Sequence, residues 1–289
     1  MILIRKKKFI MKFTKMQGAG NDYIYINCFE EKVDSPEMLS ERLSDRHFGI
    51  GGDGIVLIMP SDKADFRMRM FNADGSEGKM CGNASRCIGK YVYDNKLTDK
   101  KTVTLETLSG IKTLTLFTNE NNTVDHVCVD MGKAVLKPAD IPMTADGDDF
   151  IDRPITVDGK TVNATAVSMG NPHCVIFTEN IDSLDLEKIG PAYENQAIFP
   201  QKVNTEFVEI LGKNTLKMRV WERGSGETLA CGTGACAVAA AACLNGICDR
   251  DSDITIKLRG GELVIKYMSD GTVFMTGNAV KVFDGKITV

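Results

Sequence analysis

Read for polarity alone, the chain is built from short alternating runs. In "FRMRMFN", Phe66, Met68 and Met70 fall on one face and Arg67 and Arg69 on the other, the period-two pattern of a half-buried strand. "LKMRVWE" repeats it with Leu216, Met218 and Val220, and "IVLIM", "TVTLETL", "TLTLF", "HVCVDMG", "CVIFTE", "ITIKL", "LVIKY" and "VFMTG" predict further strands. The turns "RGGE" and "MSDGT" predict antiparallel hairpins near the C-terminus. Helical patterns are fewer. "SPEMLSERLSDRHF" opens with Ser35 as a cap and Pro36 at the first helical position. "NASRCIGKYVYDN" places Ala84, Cys87, Ile88, Tyr91 and Val92 on one stripe. "GACAVAAAACLNG" has no polar face, which predicts a buried helix, and it should stop at Asn245-Gly246. Strand runs around single buried helices predict an α+β fold, not an alternating βαβ sheet.

The chain also repeats itself. At an offset of 150 residues "MRMFNADGSEGKMCGN" meets "MRVWERGSGETLACGT" without a gap. Met68, Arg69, Glu77, Cys81 and Gly82 then fall on Met218, Arg219, Glu227, Cys231 and Gly232. At the same offset "GND" from Gly20 meets "GNP" from Gly170. Two matches in register predict two copies of one domain. If the copies pack about a pseudo-twofold axis, Cys81 and Cys231 face each other across a cleft.

Composition narrows the function classes. The chain has 289 residues, enough for two domains, with 43% hydrophobic and 26% charged residues. A net charge of −4 supplies no field for nucleic acid or an anionic membrane. No apolar stretch approaches the roughly 20 residues of a membrane span. The run "RKKK" (Arg5 to Lys8) reads as a solvated N-terminal arm, and no signal peptide is expected. Met11 is a second plausible start, which would make the first ten residues an extension. Nine scattered cysteines, an odd number, fit free thiols in a cytoplasmic protein better than a disulfide framework.

Several motifs read as structure. "GIGGDG" (Gly49 to Gly54) matches a dinucleotide fingerprint in letters, but a helix precedes it and a strand follows, the reverse of what phosphate binding needs. It predicts a tight connection. His47, His126 and His173 lie in three separate segments, so no metal site is expected.

Cys81 and Cys231 stand apart from the other cysteines. Each precedes a glycine and a helix start, where unpaired N–H groups and the dipole favour an anion and should lower a thiol pKa from its usual ~8.5. Two thiols at equivalent positions suit a racemase or epimerase, with a base on one face of a carbon and an acid on the other. A dithiol oxidoreductase would want its sulfurs in one turn, and an amino-acid binding protein would have no use for them. Converging helix N-termini would stabilise the substrate carboxylate as charge develops beside it. Nearby stand Asn21, Asn72, Asn83, Asn171, Asn204, Glu222 and Arg223. An asparagine beside glycine also reads as a turn residue, although Asn21 and Asn171 recur at the repeat offset. Arg223 fits either a two-point carboxylate clamp or a surface ion pair, and Glu222 could accept from an ammonium.

At these residues the chain resembles the diaminopimelate epimerase family. The motifs are "QGAGNDYIYI", "DRHFGIGGDG", "FNADGSEGKMCGNASRC", "VSMGNPHCV", "VNTEFVEI" and "ERGSGETLACGTGACA", and the match runs from about Met11 to the C-terminus. The resemblance implies two pseudo-symmetric duplicated domains, each a barrel-like mixed β-sheet around a central helix, with the active site in the cleft between them. It places the boundaries at residues 1–127 plus 277–289 and at 128–276. It implies interconversion of LL- and meso-diaminopimelate, on the route to lysine and peptidoglycan, without pyridoxal phosphate or metal, by a homodimer whose partner is a small amino-acid substrate. Carried over by position, Cys81 and Cys231 are the acid/base pair. Asn21, Asn72, Asn171, Asn204, Glu222 and Arg223 contact substrate, joined by the Gly82-Asn83 and Gly232-Thr233 amides, with His173 in support. Gly54 stands where some members carry a substrate-touching glutamine.

Overall fold

A computed structural model describes residues 9–289. The basic run Arg5 to Lys8, and with it most of the first ten residues, lies outside the described residues. The chain divides into two compact units, one running up to Asp125 and taking back Ala279–Val289, the other spanning His126–Asn278.

The first unit contains β1 (Ile10–Gly18), β2 (Asn21–Asn27), α1 (Pro36–Ser44), β3 (Gly54–Met59), β4 (Phe66–Asn72), β5 (Glu77–Gly78), α2 (Gly82–Asp94), β6 (Thr102–Thr107) and β7 (Gly110–Thr118). β1 and β2 are antiparallel, β2 and β3 parallel, β3 and β4 antiparallel, β4 and β6 parallel, and β6 and β7 antiparallel. A parallel pair cannot be closed by a hairpin and needs a crossover. Here α1 makes the first crossover and α2 the second. α1 begins behind Ser35 as expected, with proline in its first turn, but Ser35 makes no side-chain cap bond. Its buried residues with those of β1 to β4 form one apolar core that includes Met11, Ile24, Leu43, Ile55 and Phe71. In α2 the predicted stripe is buried at Ala84, Cys87, Ile88 and Val92, while Tyr91 stays at the margin.

The second unit contains all but the first two residues of β8 (Val124–Lys133), then β9 (Arg153–Val157), β10 (Lys160–Ser168), β11 (Pro172–Phe177), α3 (Leu186–Glu194), β12 (Asn204–Gly212), β13 (Thr215–Glu222), β14 (Gly226–Glu227), α4 (Gly232–Leu244), β15 (Asp253–Leu258), β16 (Gly261–Tyr267) and β17 (Thr272–Asn278). β10 to β13 and β15 to β16 repeat the pairing of the first unit: antiparallel, parallel, antiparallel, parallel, antiparallel. α3 and α4 make the two crossovers. The final strand, β18 (Val280–Thr288), returns to pair antiparallel with β1. The fold is mixed α+β with two helices per repeat, and α1 and α3, like α2 and α4, stand 150 residues apart at both ends.

α4 is helical because alanine loses almost no side-chain entropy there. The same small side chains let β10, β11, β12, β15, β16 and β17 all approach it. Residues Ala235 to Ala242 are buried throughout, and the helix ends at Asn245 with Gly246 at φ 70°, the left-handed conformation glycine accepts. Among the described residues no helix is long and apolar enough to cross a membrane.

α3 is the element the pattern hides, because Gly190-Pro191 inside it reads as a breaker. Tertiary packing overrides that preference. The Trp221 ring occupies the space where a Cβ at Gly190 would stand, 2.2 Å from its nearest atom, and Trp221 Nε1 donates to Glu194 Oε2 at 2.9 Å. Gly190→Ala should therefore push α3 off the ring and destabilise the protein by about 1–3 kcal/mol. Gly212→Ala, in open space, should change little. Thermal unfolding followed by fluorescence of the single tryptophan checks this. Equal melting of the two variants would show that α3 does not rest on Trp221.

Candidate active site

In each unit the register gathers the candidate polar residues at one end of the sheet. Tyr23 pairs with Gly54, and Gly54 with Asn72, so Asn21, Gly54 and Asn72 share an edge. In the second unit His173 pairs with Asn204 and Thr205 with Trp221, which brings Asn171, Asn204 and Glu222 to the equivalent edge. A two-strand hairpin, β4–β5 or β13–β14, then delivers the chain to the next helix. Its last residue before the helix is Cys81 in one unit and Cys231 in the other.

Both cysteines are the N-caps of their helices. Cys81 has an extended backbone, and its Sγ accepts from Ala84 N at 3.4 Å. Cys231 Sγ accepts from Gly234 N at 3.3 Å. A sulfur thus takes the place usually held by a serine or aspartate oxygen, and satisfies a backbone donor the helix itself cannot.

In the first unit Cys81 Sγ donates to Asn21 Oδ1 at 3.4 Å, and Asn83 Nδ2 donates to the same oxygen at 3.4 Å. Asn21 is held from behind, its Nδ2 donating to Asp53 Oδ2 at 2.7 Å. Asp53 comes from the glycine-rich connection, and Arg46 bridges it to Asp22. That connection is tight for a steric reason: a Cβ on Gly49 would stand 2.5 Å from Arg42 O, and one on Gly52 2.7 Å from Lys15 Nζ. A side chain at Gly54 would meet Phe71 O at 2.0 Å, so in this chain the position offers backbone only. Asn72 lies on the shared edge, with its Nδ2 donating to Ser76 Oγ at 3.0 Å.

In the second unit Cys231 Sγ lies 3.4 Å from Thr233 Oγ1, and the charge of the Glu222 carboxylate acts on the thiol. Glu222 also accepts from Thr228 Oγ1 at 2.5 Å. Asn204 Oδ1 accepts from Arg223 N at 2.8 Å. The Arg223 guanidinium is exposed, with one nitrogen on Gln201 O at 2.8 Å, and makes no ion pair among the described residues. His173 is fully buried, its Nδ1 2.6 Å from Glu206 Oε1 and its Nε2 3.1 Å from Asn171 Oδ1.

The Cys231 thiol sits in a buried, acidic setting. Burial first, then the negative charges of Glu222 and Glu206, push the Cys231 thiol well above its ordinary value. The expected lowering by the helix N-terminus is present through Gly234 N but is outweighed. Burial likewise raises Glu222. None of the nine cysteines forms a disulfide, and burial pushes Cys87 up to about 11 and Cys243 up to about 12. Among the described residues no cluster of three or more His, Cys, Asp or Glu side chains is arranged to hold a metal ion.

Polarity patterns alone miss Asp53 and Glu206. Their signal lies in placement: Glu206 is a carboxylate inside the wholly buried and otherwise uncharged run Asn204 to Val208, and Asp53 closes the glycine-rich connection.

The sequence profile of the family described as diaminopimelate epimerase matches residues 13–137 and 165–282. A diaminopimelate epimerase of Acetivibrio thermocellus is 56% identical over 278 residues, covering 96% of this chain and 98% of that protein. One from Methanococcus maripaludis is also 56% identical, over 96% of this chain and 100% of its own. Among solved structures, a PhzF-family phenazine biosynthesis protein of Bacillus anthracis superposes with TM-score 0.70 at 15% identity, covering 97% of this chain and 100% of its own. A hydroxyproline epimerase from Agrobacterium vitis gives 0.69 at 12% identity, covering 98% and 92%. At such identities these structures speak for the shared fold alone. With two matched segments spanning most of the chain and relatives identical at more than half of their aligned positions, the chain belongs to the diaminopimelate epimerase family and is an isomerase.

Proposed function

We propose that the chain interconverts LL- and meso-diaminopimelate by a two-base exchange of the Cα proton between Cys81 and Cys231, with no resident cofactor. The observation that carries this reading is the pair of sulfurs, each an N-cap accepting a first-turn N–H at an equivalent position of the repeat. One C–H bond breaks as a thiolate takes the proton, and one forms as the other thiol returns it, so oxidation state is unchanged. The backbone N–H groups at Gly82-Asn83 and Gly232-Thr233 would hold the carboxylate beside the reacting carbon, where negative charge develops. The acidic surroundings of Cys231 favour its protonated form, which gives it the first donor role and leaves the base role to Cys81.

Around them, Asn21, Asn72, Asn171 and Asn204 would supply amide contacts, Glu222 would accept from the substrate ammonium, and His173 would support Asn171. Arg223 keeps its guanidinium exposed and, among the described residues, without a carboxylate partner, which suits a two-point grip on the distant carboxylate. Service to lysine and peptidoglycan precursors, a cytoplasmic location and a homodimeric state belong to the same proposal.

Incubation in D₂O should place deuterium at Cα of both LL- and meso-diaminopimelate. Cys81→Ala and Cys231→Ala should each slow isomerisation by at least ~10²–10⁴, the usual weight of one acid–base group, without loss of fold. Absence of exchange in the wild type would remove the proposed reaction, and near wild-type turnover in either variant would remove the two-base scheme.

Because its pKa lies above the ordinary thiol range, Cys231 should be protonated at neutral pH. Iodoacetamide should label it slowly at pH 7, and faster as pH rises beyond ~8.5. Glu222→Gln removes a negative charge and should move that rise to lower pH. Peptide mapping by mass spectrometry reads both. Labelling at pH 7 as fast as a free thiol would contradict the donor role.

Arg223→Lys should raise KM, since an ammonium cannot reproduce a planar two-point clamp. Steady-state kinetics that match the wild type in both KM and kcat would place Arg223 outside the site.

A further inference from the structure

The second unit buries a charged pair that the proposed proton exchange does not itself use. Glu206 and His173 are both 0% exposed, and Glu206 Oε1 lies 2.6 Å from His173 Nδ1. The other carboxylate oxygen, Oε2, has no hydrogen-bond partner among the described residues. Such a pair gives up the hydration of two groups and is a poor device for stability. In the first unit the equivalent positions, 150 residues earlier, are Tyr23 and Val56, so the repeat does not require it. The carboxylate also lies beside the reacting thiol. A Cβ added at Gly234 would stand 2.7 Å from Glu206 Oε1 and 3.3 Å from Cys231 Sγ.

Charge neutrality decides the protons. A separation of 2.6 Å between Nδ1 and Oε1 needs a proton between them, since two bare lone pairs would repel. With that proton alone, the pair would carry a full negative charge in the interior. A second proton, on Nε2, makes it neutral whichever atom holds the shared one. Nε2 is then a donor, and the group 3.1 Å away must present an acceptor, which is Asn171 Oδ1. The amide nitrogen of Asn171 is left to donate elsewhere.

We propose that Glu206 is a positioning residue: through His173 it fixes the Asn171 side chain carbonyl-inward and NH₂-outward, as a donor for a substrate carboxylate. This rests on the reading of Asn171 as a substrate contact. The two halves differ in this respect, because the equivalent Asn21 is tied by its nitrogen, to Asp53 Oδ2, and turns its oxygen toward Cys81. One asparagine thus faces its surroundings as an acceptor and its repeat partner as a donor.

Glu206→Gln removes the charge. The neutral ring then keeps one proton, and since a glutamine can accept from Nδ1–H or donate to a bare Nδ1, nothing holds that proton on Nε2. Wherever Nε2 is bare, Asn171 must turn over to satisfy it, presenting a carbonyl to an anionic substrate. The titratable groups packed around the pair are Cys231, Glu222 and Cys174, so the proton positions must be read directly.

The test uses the full-length, ¹⁵N-labelled protein. The chain has three histidines, and His173→Gln assigns the signal of interest in an imidazole ¹H–¹⁵N spectrum. Nε2 of His173 should carry a proton in the wild type and lose it, at least in part, in Glu206→Gln. Kinetically, Glu206→Gln should raise KM roughly 10- to 100-fold, with a smaller effect on kcat. Adding it to Asn171→Ala should bring no further rise in KM, because the two act through one contact. A bare Nε2 in the wild type, an unchanged Nε2 in Glu206→Gln, or additive effects in the double variant would each overturn the proposal. Lack of epimerase turnover in the wild type would instead defeat the functional reading, while the spectrum would still decide the proton positions.

Discussion

The crossover helix is the constraint on which the rest of the molecule depends. Two strands can run parallel in one sheet only if the chain leaves the sheet and returns, and here α2 and α4 make that return. A helix entered this way exposes unpaired N–H groups at its start. In both units a cysteine sulfur accepts one of them. The same few residues therefore end the hairpin, begin the helix and present a polarised thiol. The register of the neighbouring strands adds amide side chains at the same sheet end, so topology and candidate chemistry share one cause.

Duplication sets two equivalent frames, and substitution within them makes the halves unequal. Where the first unit has Tyr23, Val56 and Asn72, the second has His173, Glu206 and Glu222. All three changes add a titratable group of acid or imidazole type near Cys231. Desolvation and these carboxylates raise its pKa against the pull of the helix N-terminus. A two-base isomerase needs one partner protonated while the other is not. Under the proposed exchange, the acidic surroundings of Cys231 would favour the protonated partner on a backbone that both halves share.

Much of this was legible in the polarity pattern. "FRMRMFN" is β4 residue for residue, the alanine-rich run is the buried helix α4, and the C-terminal turns are hairpins. The cysteine-led helix starts could be read because capping is local: a residue and the three that follow suffice. α3 could not, since Gly190 and Pro191 argue against a helix until Trp221, more than two dozen residues later, fills the space a side chain would have taken. The glycine-rich connection reads as a turn, but its hold on Asn21 through Asp53 depends on a contact between distant segments.

The sequence by itself determined the elements with strong periodicity, the duplication and the residue types that chemistry would use. These are properties of neighbours in the chain, or of two stretches compared letter by letter. Tertiary structure decided protonation and orientation. Whether a thiol at a helix start is lowered or raised depends on how much water it loses and which carboxylates approach it. Cys231 is raised first by burial and then by Glu222 and Glu206, which arrive from positions nine and twenty-five residues away in sequence. The direction of an asparagine amide depends on what stands behind it. Those distances are set by the fold, and Coulomb and hydrogen-bond energies depend on distance in space, not on separation along the chain.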